Sequence, residues 1–479
     1  MQPFRFLFFL MLTCLFVNCQ TTEPVTDPVQ KSLDYQSWED TPKVKGDLTY
    51  LSLGSFAKVL CSGVFVSNRA MDEVVLNSQM DVGAPKETRK VEYVIDETAK
   101  RATVFIEGVV SRSATYYGDQ GCVIDGKAPI NFTPVAVKSA LPDATTLDFP
   151  MGDNIPADNE LYNHPKFDEA VAAAFKDSAL TAAFLVIKDG QIIIEKYGQG
   201  ADKNTQLESW SMGKSLMSTL TGRLIQEGHL TLDQKAPIEA WQQEGDPRGD
   251  ITIRHLLNMS GGLRFAGPRD PDLKTYIPLL PHTYPYGEAI DAVEFSVNRP
   301  LEFVPGSTGR YRNCDPLILA SIMGDIAKKE GKNPLLYPQE LLFDKIGIRK
   351  QILETDINGN FIITGFDYGT ARNWGRIAQL YLNDGMWNGE RLLPEGYTQF
   401  VSTPAPGWKP PVYGGLFWLN NTGGFKVAKD AFFMNGGGGQ RVIISPSENL
   451  AIVRLGHSRG VKYCNAAINE ALELLMPLL

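Results

Sequence analysis

Glu208-Ser-Trp-Ser-Met-Gly-Lys-Ser-Leu-Met-Ser-Thr-Leu-Thr-Gly-Arg-Leu-Ile225 carries the strongest structural signal in this chain. An apolar helix is predicted to begin within it, to run towards Glu227 and to end at Gly228. Ser211 and Lys214 lie three residues apart at the start of that helix and therefore share one face. The lysine amine can reach the serine hydroxyl there and take its proton, which activates a nucleophile without histidine.

A second Ser-x-x-Lys sequence, Ser55 to Lys58, shows that this pattern alone is weak evidence. About one or two copies are expected by chance in a chain of this length. Gly63 soon follows the second copy and is predicted to interrupt any helix. We interpret this copy as structural, a capping serine with a lysine in solvent, so Ser211 and Lys214 need support from their context.

Composition places the 479-residue chain among globular proteins with material for two or three domains. It is 43% hydrophobic and 21% charged. The net charge of −9, without a basic block, argues against a nucleic-acid partner. No two of the five histidines have the spacing of metal ligands, so neither a metal nor another cofactor is predicted.

Residues 1–18 predict a signal peptide, because the apolar run at residues 6–17 is too short to span a bilayer. The run ends just before Cys19, and this arrangement resembles a bacterial lipoprotein signal. The resemblance implies a lipid on Cys19 and an exported protein anchored in the cell envelope. The preceding Phe-Val-Asn departs from the usual small residue, which leaves plain cleavage or an uncleaved anchor open. Residues 19–45 predict a flexible tether.

Export permits disulfides among the four later cysteines. Cys61 and Cys122 lie in one N-terminal block and are the preferred pair. Cys314 and Cys464 are predicted to be buried thiols.

Residues 46–150 predict a small β-rich N-terminal domain. Strand patterns at residues 90–96 and 101–110 flank a turn around Glu97 to Lys100. This block contains no catalytic constellation of its own.

Residues 165–479 follow a proline- and aspartate-rich loop and predict a second domain. A hairpin with an Asp189-Gly190 turn begins it, and strands at 441–445 and 450–455 with a helix from about 464 to 478 close it. Strands at both ends of a helical insertion imply one sheet built from distant segments.

Tyr311 is the candidate group that passes a proton to the leaving atom. It follows a glycine-containing turn and precedes an apolar run, so it is predicted to lie on a loop at a helix entrance, with Asn313 beside it. Tyr381 lies inside an amphipathic pattern and is predicted to be a core residue.

Asn435-Gly-Gly-Gly-Gly-Gln440 precedes the strand at 441–445. Its glycines would let a bound acyl group approach the backbone, where the amide of Gly437 could polarise a carbonyl. A flexible turn between strands is the alternative. A phosphate loop is disfavoured because no Lys-Ser/Thr follows the glycines.

Taken in order, Ser-Met-Gly-Lys, Tyr-Arg-Asn and Asn435-Gly436 resemble the motifs of the β-lactamase-related serine hydrolase family. This family includes class C β-lactamases, DD-peptidases, certain carboxylesterases and 6-aminohexanoate-dimer hydrolase. The resemblance covers about residues 165–479 and implies an α+β fold, an α/β/α sandwich with an antiparallel sheet and an inserted helical region.

The resemblance also implies roles for individual residues. Ser211 would be the nucleophile, Lys214 its base and Tyr311 the shuttle to the leaving group. Asn313 would contact substrate, and the backbone amides of Ser211 and Gly437 would form the oxyanion hole. The neighbouring Asn435 and Gly436 would line the substrate site.

One departure from the family pattern concerns the residue before Asn435. β-Lactamases carry lysine or histidine at the start of this motif, whereas this chain has Met434. A cation there pairs with the carboxylate of a β-lactam or peptide terminus, so its absence favours an esterase or amidase acting on small molecules. A β-lactamase or DD-peptidase, or a catalytically silent envelope lipoprotein that binds peptides, remain as alternatives.

Lys214 must be neutral when the nucleophile attacks. A lysine amine in water titrates near pH ~10.4, so burial or a nearby cation must lower its pKa. We therefore expect Lys214 to be enclosed, with Ser211, Tyr311 and Asn313 as polar contacts. A Ser-His-Asp enzyme with His457 as the base is the nearest rival, but it leaves Lys214 and Tyr311 unexplained.

Overall fold

The computed structural model describes residues 43–78, 90–271 and 280–479, together with residues 27, 29, 30 and 32. The predicted signal peptide, Cys19 and most of the predicted tether lie outside these residues.

The N-terminal part combines two helices with a four-stranded antiparallel sheet. Its elements are α1 (Leu48–Phe65), α2 (Met71–Asn77), β1 (Glu92–Asp96), β2 (Arg101–Ile106), β3 (Val110–Tyr116) and β4 (Cys122–Ile124). The strands follow one another in the order β1-β2-β3-β4, and the predicted β1–β2 hairpin is confirmed. A strand-rich reading is wrong for residues 48–77, which are mainly helical.

Gly63 does not interrupt α1, contrary to the prediction. A Cβ on Gly63 would lie 2.6 Å from Val74 Cγ1, so the glycine lets α2 pack closely against α1. Asp47 caps the start of α1 by accepting a hydrogen bond from Tyr50 N. A glycine in a helix costs about 0.5–1 kcal/mol relative to alanine, which tertiary packing offsets here.

Helix α1 has the length and hydropathy of a membrane span, yet 67% of it is buried within the protein. Its apolar residues pack with those of β2 and β3 in one hydrophobic cluster. The predicted disulfide between Cys61 and Cys122 is confirmed and joins α1 to β4. Lys58, predicted to lie in solvent, is also fully buried in this helix, so that prediction is wrong.

The second part is larger and mixes strands with helices. Its strands are β5 (Thr181–Lys188), β6 (Gln191–Tyr197), β7 (Leu207–Glu208), β8 (Ile352–Leu353), β9 (Asp367–Gly369), β10 (Met386–Trp387), β11 (Glu390–Arg391), β12 (Trp418–Leu419), β13 (Phe432–Asn435), β14 (Arg441–Ser445) and β15 (Leu450–Gly456). Its helices are α3 (Asp168–Ala174), α4 (Met212–Gln226), α5 (Ile253–Leu257), α6 (Tyr284–Gly287), α7 (Ala292–Val297), α8 (Cys314–Lys329), α9 (Ala371–Leu382), α10 (Tyr397–Ser402) and α11 (Val461–Leu475).

One antiparallel sheet organises this part, in the order β12-β13-β14-β15-β5-β6. It joins strands from both ends of the domain, as predicted. Asp189 and Gly190 have φ angles of 50° and 79°, which suits the tight turn between β5 and β6. The hairpin, the two closing strands and the terminal helix are therefore confirmed.

Helices cover both faces of this sheet. Helices α3 and α11 pack together over one face, where their apolar residues join those of the strands. Helix α9 packs on the other face, and α4 belongs to the same core. The arrangement is the predicted α/β/α sandwich. Tyr381 is a core residue as expected, and Cys314 and Cys464 are buried free thiols.

Candidate active site

Ser211 and Lys214 meet at the start of α4, which begins and ends where the sequence predicts. Lys214 Nζ lies 2.9 Å from Ser211 Oγ, and the lysine is 1% exposed. The same amine donates to the carbonyl oxygen of Thr364 at 2.8 Å. The amine is thus enclosed between one hydroxyl and one carbonyl, in reach of the serine proton.

The backbone before α4 turns sharply to place Ser211 at the helix start. Trp210 has a φ of 51°, an uncommon conformation for a bulky residue. Gly213 is required by close approach, because a Cβ there would lie 2.0 Å from the carbonyl oxygen of Ile363 and 2.5 Å from Asp367 Oδ1. The small residue in Ser-Met-Gly-Lys therefore allows the segment that carries Thr364 to pass against α4.

Burial lowers the pKa of Lys214 well below its ordinary value. The charge of Asp367 opposes this effect, and the guanidinium of Arg269 adds to it. Burial also raises the pKa of Asp367 to about 8, so that carboxyl is mostly protonated at neutral pH. A protonated Asp367 carries no negative charge, so it does little to stabilise the charged form of Lys214.

Tyr311 lies on the loop before α8, beside the lysine. Its ring centroid is 5.0 Å from Lys214 Nζ and 5.4 Å from the ring of Trp418. Burial raises the pKa of Tyr311 to about 12, with the Ser211 hydroxyl and the Arg269 charge partly offsetting it. The phenol is therefore protonated at neutral pH and can donate a proton.

Asn313 was predicted to contact Lys214, but it does not. Its side-chain nitrogen donates to the carbonyl oxygen of His282 at 2.7 Å and to the hydroxyl of Tyr286 at 2.8 Å. Asn313 is fully buried at the start of α8, where it ties the Tyr311 loop to the 282–286 segment. Thr364 takes the place expected for it beside the amine.

The glycine turn lies next to Trp210. Gly437 faces the indole, since a Cβ there would be 3.3 Å from Trp210 Cγ. The N–H of Gly436 donates to the carbonyl oxygen of Gln440. The N–H groups of Ser211 and Gly437 donate to no residue that the structure describes, so both are available to a substrate oxygen.

Strand β13 fixes the positions of Met434 and Asn435, the two residues before the glycine turn. Met434 is fully buried in the main hydrophobic core. Asn435 pairs across the strands with Arg441, which is buried and donates to the carbonyl oxygens of Gly436 and Gln440. The position that carries lysine or histidine in β-lactamases is thus a core position here.

Four residues of the site were missed from the sequence: Thr364, Tyr286, Asp367 and Arg269. Thr364 acts through its backbone carbonyl, which leaves no side-chain signature. The hydroxyl of Tyr286 donates to Thr364 Oγ1 at 2.9 Å, and a Cβ on Gly365 would meet this tyrosine ring at 2.8 Å. Gly365 is therefore the sequence signal that could have marked this segment.

His457 has no contact with the serine. It is buried, and its nearest ionic partner among the described residues is Glu73, at 3.7 Å. Burial lowers the pKa of His457 to about 3. The geometry gives no support to a Ser-His-Asp arrangement.

Known proteins resemble this chain in sequence or in fold. The chain is 25% identical over 237 residues to the 6-aminohexanoate-dimer hydrolase of Paenarthrobacter ureafaciens, a match that covers 47% of this chain and 58% of that relative's length. The structure of EstCE1, a hydrolase with promiscuous acyltransferase activity, matches 65% of this chain and 97% of its own at 14% identity, with a TM-score of 0.50. A penicillin-binding protein homolog from Caulobacter crescentus matches 65% of this chain and 98% of its own at 16% identity and a TM-score of 0.46.

The sequence profile described as Beta-lactamase matches residues 167–474, which is more than half of the chain. The matched range begins just before α3 and ends within α11, so it takes in the whole six-stranded sheet and the Ser211 helix. This protein is a member of the Beta-lactamase family.

Proposed function

We propose that the protein is a serine hydrolase that cleaves small esters or amides through an acyl-enzyme. The observation that carries the proposal is the buried amine of Lys214, 2.9 Å from Ser211 Oγ, with a pKa lowered by burial. A neutral lysine at that distance is a general base for the serine hydroxyl. The relatives named as a dimer hydrolase and as a hydrolase with acyltransferase activity support the same reaction class.

The chemistry follows from the placement of three side chains. Lys214 takes the proton of Ser211 as Oγ bonds to the substrate carbonyl carbon. The N–H groups of Ser211 and Gly437 receive the developing oxyanion. Tyr311 donates its phenolic proton to the leaving oxygen or nitrogen as that bond breaks, and the Lys214 ammonium returns a proton to Tyr311. Water then attacks the acyl group with Lys214 as base, which releases the acid and restores Ser211.

Covalent labelling of the serine tests the proposal. The wild-type protein is expected to react with a fluorescent fluorophosphonate and to hydrolyse p-nitrophenyl acetate. Ser211→Ala should abolish both, whereas Ser307→Ala, at an exposed serine, should change neither. Labelling that survives in Ser211→Ala would contradict Ser211 as the nucleophile. A wild-type protein that neither labels nor turns over any ester or amide would contradict the enzymatic assignment and favour a binding lipoprotein.

The substrate class is proposed from Met434 and from the relatives. A buried methionine where β-lactamases place a cation argues for esters or linear amides over β-lactams and D-Ala-D-Ala peptides. A panel of p-nitrophenyl esters, linear amides, a D-Ala-D-Ala peptide and a chromogenic cephalosporin measures this preference. The highest kcat/KM on the cephalosporin would make the protein a β-lactamase instead.

We also propose that the protein is exported and held in the cell envelope by a lipid on Cys19. The disulfide between Cys61 and Cys122 supports an oxidising compartment. Expression in a bacterium should place the protein in the membrane fraction, and Cys19→Ser should release it, whereas Cys14→Ser should not. An unmodified N-terminal peptide by mass spectrometry would contradict the anchor.

A further inference from the structure

The second Ser-x-x-Lys sequence lies in α1, at the boundary between the N-terminal part and the second part, residues 165–479, which is called the hydrolase part below. Ser55 Oγ donates to the carbonyl oxygen of Tyr286 at 2.8 Å. Lys58 Nζ lies 2.8 Å from Glu354 Oε2, and both side chains are at most 1% exposed. Both members of the motif therefore contact residues of the other part of the chain.

The carboxylate of Glu354 is held almost entirely by the N-terminal part. Lys58 contacts one oxygen, while the other accepts hydrogen bonds from Ser62 Oγ at 2.6 Å and from the backbone N–H of Cys122 at 2.9 Å. A buried charge is tolerated only when it is paired and its remaining lone pairs are satisfied. These three contacts together fix where the Glu354 carboxylate lies.

The backbone of Glu354 in turn holds the segment that contacts the catalytic amine. Glu354 N donates to the carbonyl oxygen of Phe366, and Ile362 N donates to the carbonyl oxygen of Glu354, both at 2.9 Å. Thr364 lies between these two hydrogen bonds, and its carbonyl oxygen accepts from Lys214 Nζ at 2.8 Å. Glu354 and this short segment therefore connect Lys58 to Lys214.

A second contact runs through aromatic rings. Lys58 Nζ lies 4.7 Å from the ring centroid of Phe366. That ring packs against Trp210, at 5.4 Å, and Tyr286, at 5.2 Å. Trp210 immediately precedes Ser211, so the lysine of α1 also supports the turn that presents the nucleophile.

We propose that Lys58 is a positioning residue for the hydrolase reaction: its ion pair with Glu354 fixes the Thr364 carbonyl that orients the Lys214 amine. This inference rests on the proposed function. The amine must direct its lone pair at Ser211 while an N–H remains bonded to Thr364. A misplacement of about 1 Å in such a site lowers the rate about 100-fold. Helix α1 is therefore part of the catalytic apparatus rather than an appended support.

The test is the rate constant per active site in Lys58→Met. Active sites are counted by fluorophosphonate titration, so that partly unfolded protein does not enter the rate. We expect kcat per titrated site to fall tenfold or more, with KM changed less than twofold. The control is Arg372→Met, which removes another buried ion pair, with Glu195 at 2.6 Å, away from Thr364. That variant should lose stability while its kcat per titrated site stays within twofold of the wild type.

A double-mutant cycle identifies the route of the effect. If Lys58 acts through Glu354, then Lys58→Met combined with Glu354→Gln should be no slower than the slower single variant, within about threefold. Independent effects would multiply instead. Ser62→Ala is a second variant, to be used if Lys58→Met does not fold, because it removes only one hydrogen bond to the same carboxylate. For Ser62→Ala we expect a two- to fivefold fall in kcat per titrated site.

The outcomes are distinguishable. A wild-type protein without Ser211-dependent turnover removes the proposed function, and the positioning role with it. An active wild type whose Lys58→Met and Ser62→Ala variants keep kcat per titrated site within twofold overturns the positioning role alone. A fall in titre with unchanged kcat per site would reduce Lys58 to a structural residue.

Discussion

Lys214 is the residue at which folding and catalysis make opposite demands. Its amine has one hydroxyl and one carbonyl as hydrogen-bond partners and almost no exposed surface. A desolvated lysine disfavours its own charge, which destabilises the folded protein at any pH where the unfolded chain would carry a proton. The same property would supply the neutral base that the proposed reaction needs.

The pH dependence of the reaction follows from two pKa values. We expect kcat/KM for a linear amide to rise with pH through the pKa of Lys214, which lies well below 10.5, and then to stay level. No alkaline fall is expected until the phenol of Tyr311 ionises near pH 12. Initial rates from pH 5 to 11 measure the profile. An alkaline limb below pH 10 would show that another proton donor is required.

Replacement of the lysine separates its two effects. Lys214→Met should abolish turnover and raise Tm, because no amine then has to be held uncharged. The unfolded wild type takes up a proton as pH falls below about 10.5, while the folded state takes one up only at the lowered pKa. Wild-type stability therefore decreases over that interval, and the Tm advantage of the variant should grow from pH 10 to pH 7.

Calorimetry at the two pH values checks this expectation. Asp367 contributes with the opposite sign, because its raised pKa gives stability that is lost as pH rises through about 8, but it is present in both proteins. Lys138→Met, at an exposed lysine, should give no pH-dependent difference. A Tm advantage for Lys214→Met that is equal at pH 7 and pH 10 would mean that the lysine is charged in the folded state.

At the scale of elements, α1 and α6 approach so closely that backbone meets backbone. A Cβ on Gly54 would lie 2.2 Å from the carbonyl oxygen of Gly287, and a Cβ on Gly287 would lie 2.6 Å from that of Leu51. Neither clash can be relieved by rotating a side chain. The two glycines therefore bring the N-terminal helix against the 284–287 segment, which carries Tyr286.

Gly54→Ala tests whether this contact is required. We expect the overpacking to cost about 1–3 kcal/mol, seen as a lower urea midpoint. Gly324→Ala in α8 is the matched control, because its nearest neighbour, Pro334 Cβ, is 3.8 Å away. Alanine there should stabilise the protein by about 0.5–1 kcal/mol through its higher helix propensity. Equal midpoints for the two variants would contradict the close contact between α1 and α6.

Local patterns predicted the elements that local contacts determine. The Asp189-Gly190 hairpin, the start of α4 and the two closing strands were all readable, because turn chemistry and periodicity act between near neighbours. Helix α1 was not, since its glycines are tolerated only through packing against α2 and α6. Ser211 and Lys214 could also be placed together, because they are three residues apart at the start of one helix.

Long-range contacts account for what could not be predicted. The hydrogen bond from Ser62 to Glu354 joins residues 292 positions apart, and no local pattern marks either partner. Thr364 contributes a carbonyl that every residue possesses, so its identity gave no clue. Asn313 was expected beside Lys214, but its side-chain nitrogen donates instead to the distant residues His282 and Tyr286.

At the scale of the whole molecule, the proposed role of Lys58 makes the candidate active site depend on both parts of the chain. Residues 167–474 supply the family's sheet and the Ser211 helix, while α1 supplies the ion pair behind Thr364. Within the N-terminal part, the disulfide between Cys61 and Cys122 joins α1 to strand β4 of the sheet. Stability of this part and activity of the other should therefore be linked.

Removal of the disulfide measures that link. The two cysteines are 61 residues apart, and cross-linking a loop of that length contributes about 4 kcal/mol by restricting the unfolded chain. We expect Cys61→Ala with Cys122→Ala to lower the urea midpoint accordingly. Turnover should be lost at the same urea concentration as the N-terminal part unfolds, below the concentration that unfolds the hydrolase part.

Cys314→Ala is the control, since it removes a buried thiol that forms no bridge and should change the midpoint far less. Circular dichroism follows the unfolding of the whole molecule, while p-nitrophenyl ester hydrolysis follows the active site. Activity that persists in the double cysteine variant after its N-terminal part has unfolded would show that the hydrolase part works without α1. Coincident loss of activity and of N-terminal structure is expected instead, because Glu354 would then lose Lys58, Ser62 and the Cys122 amide together.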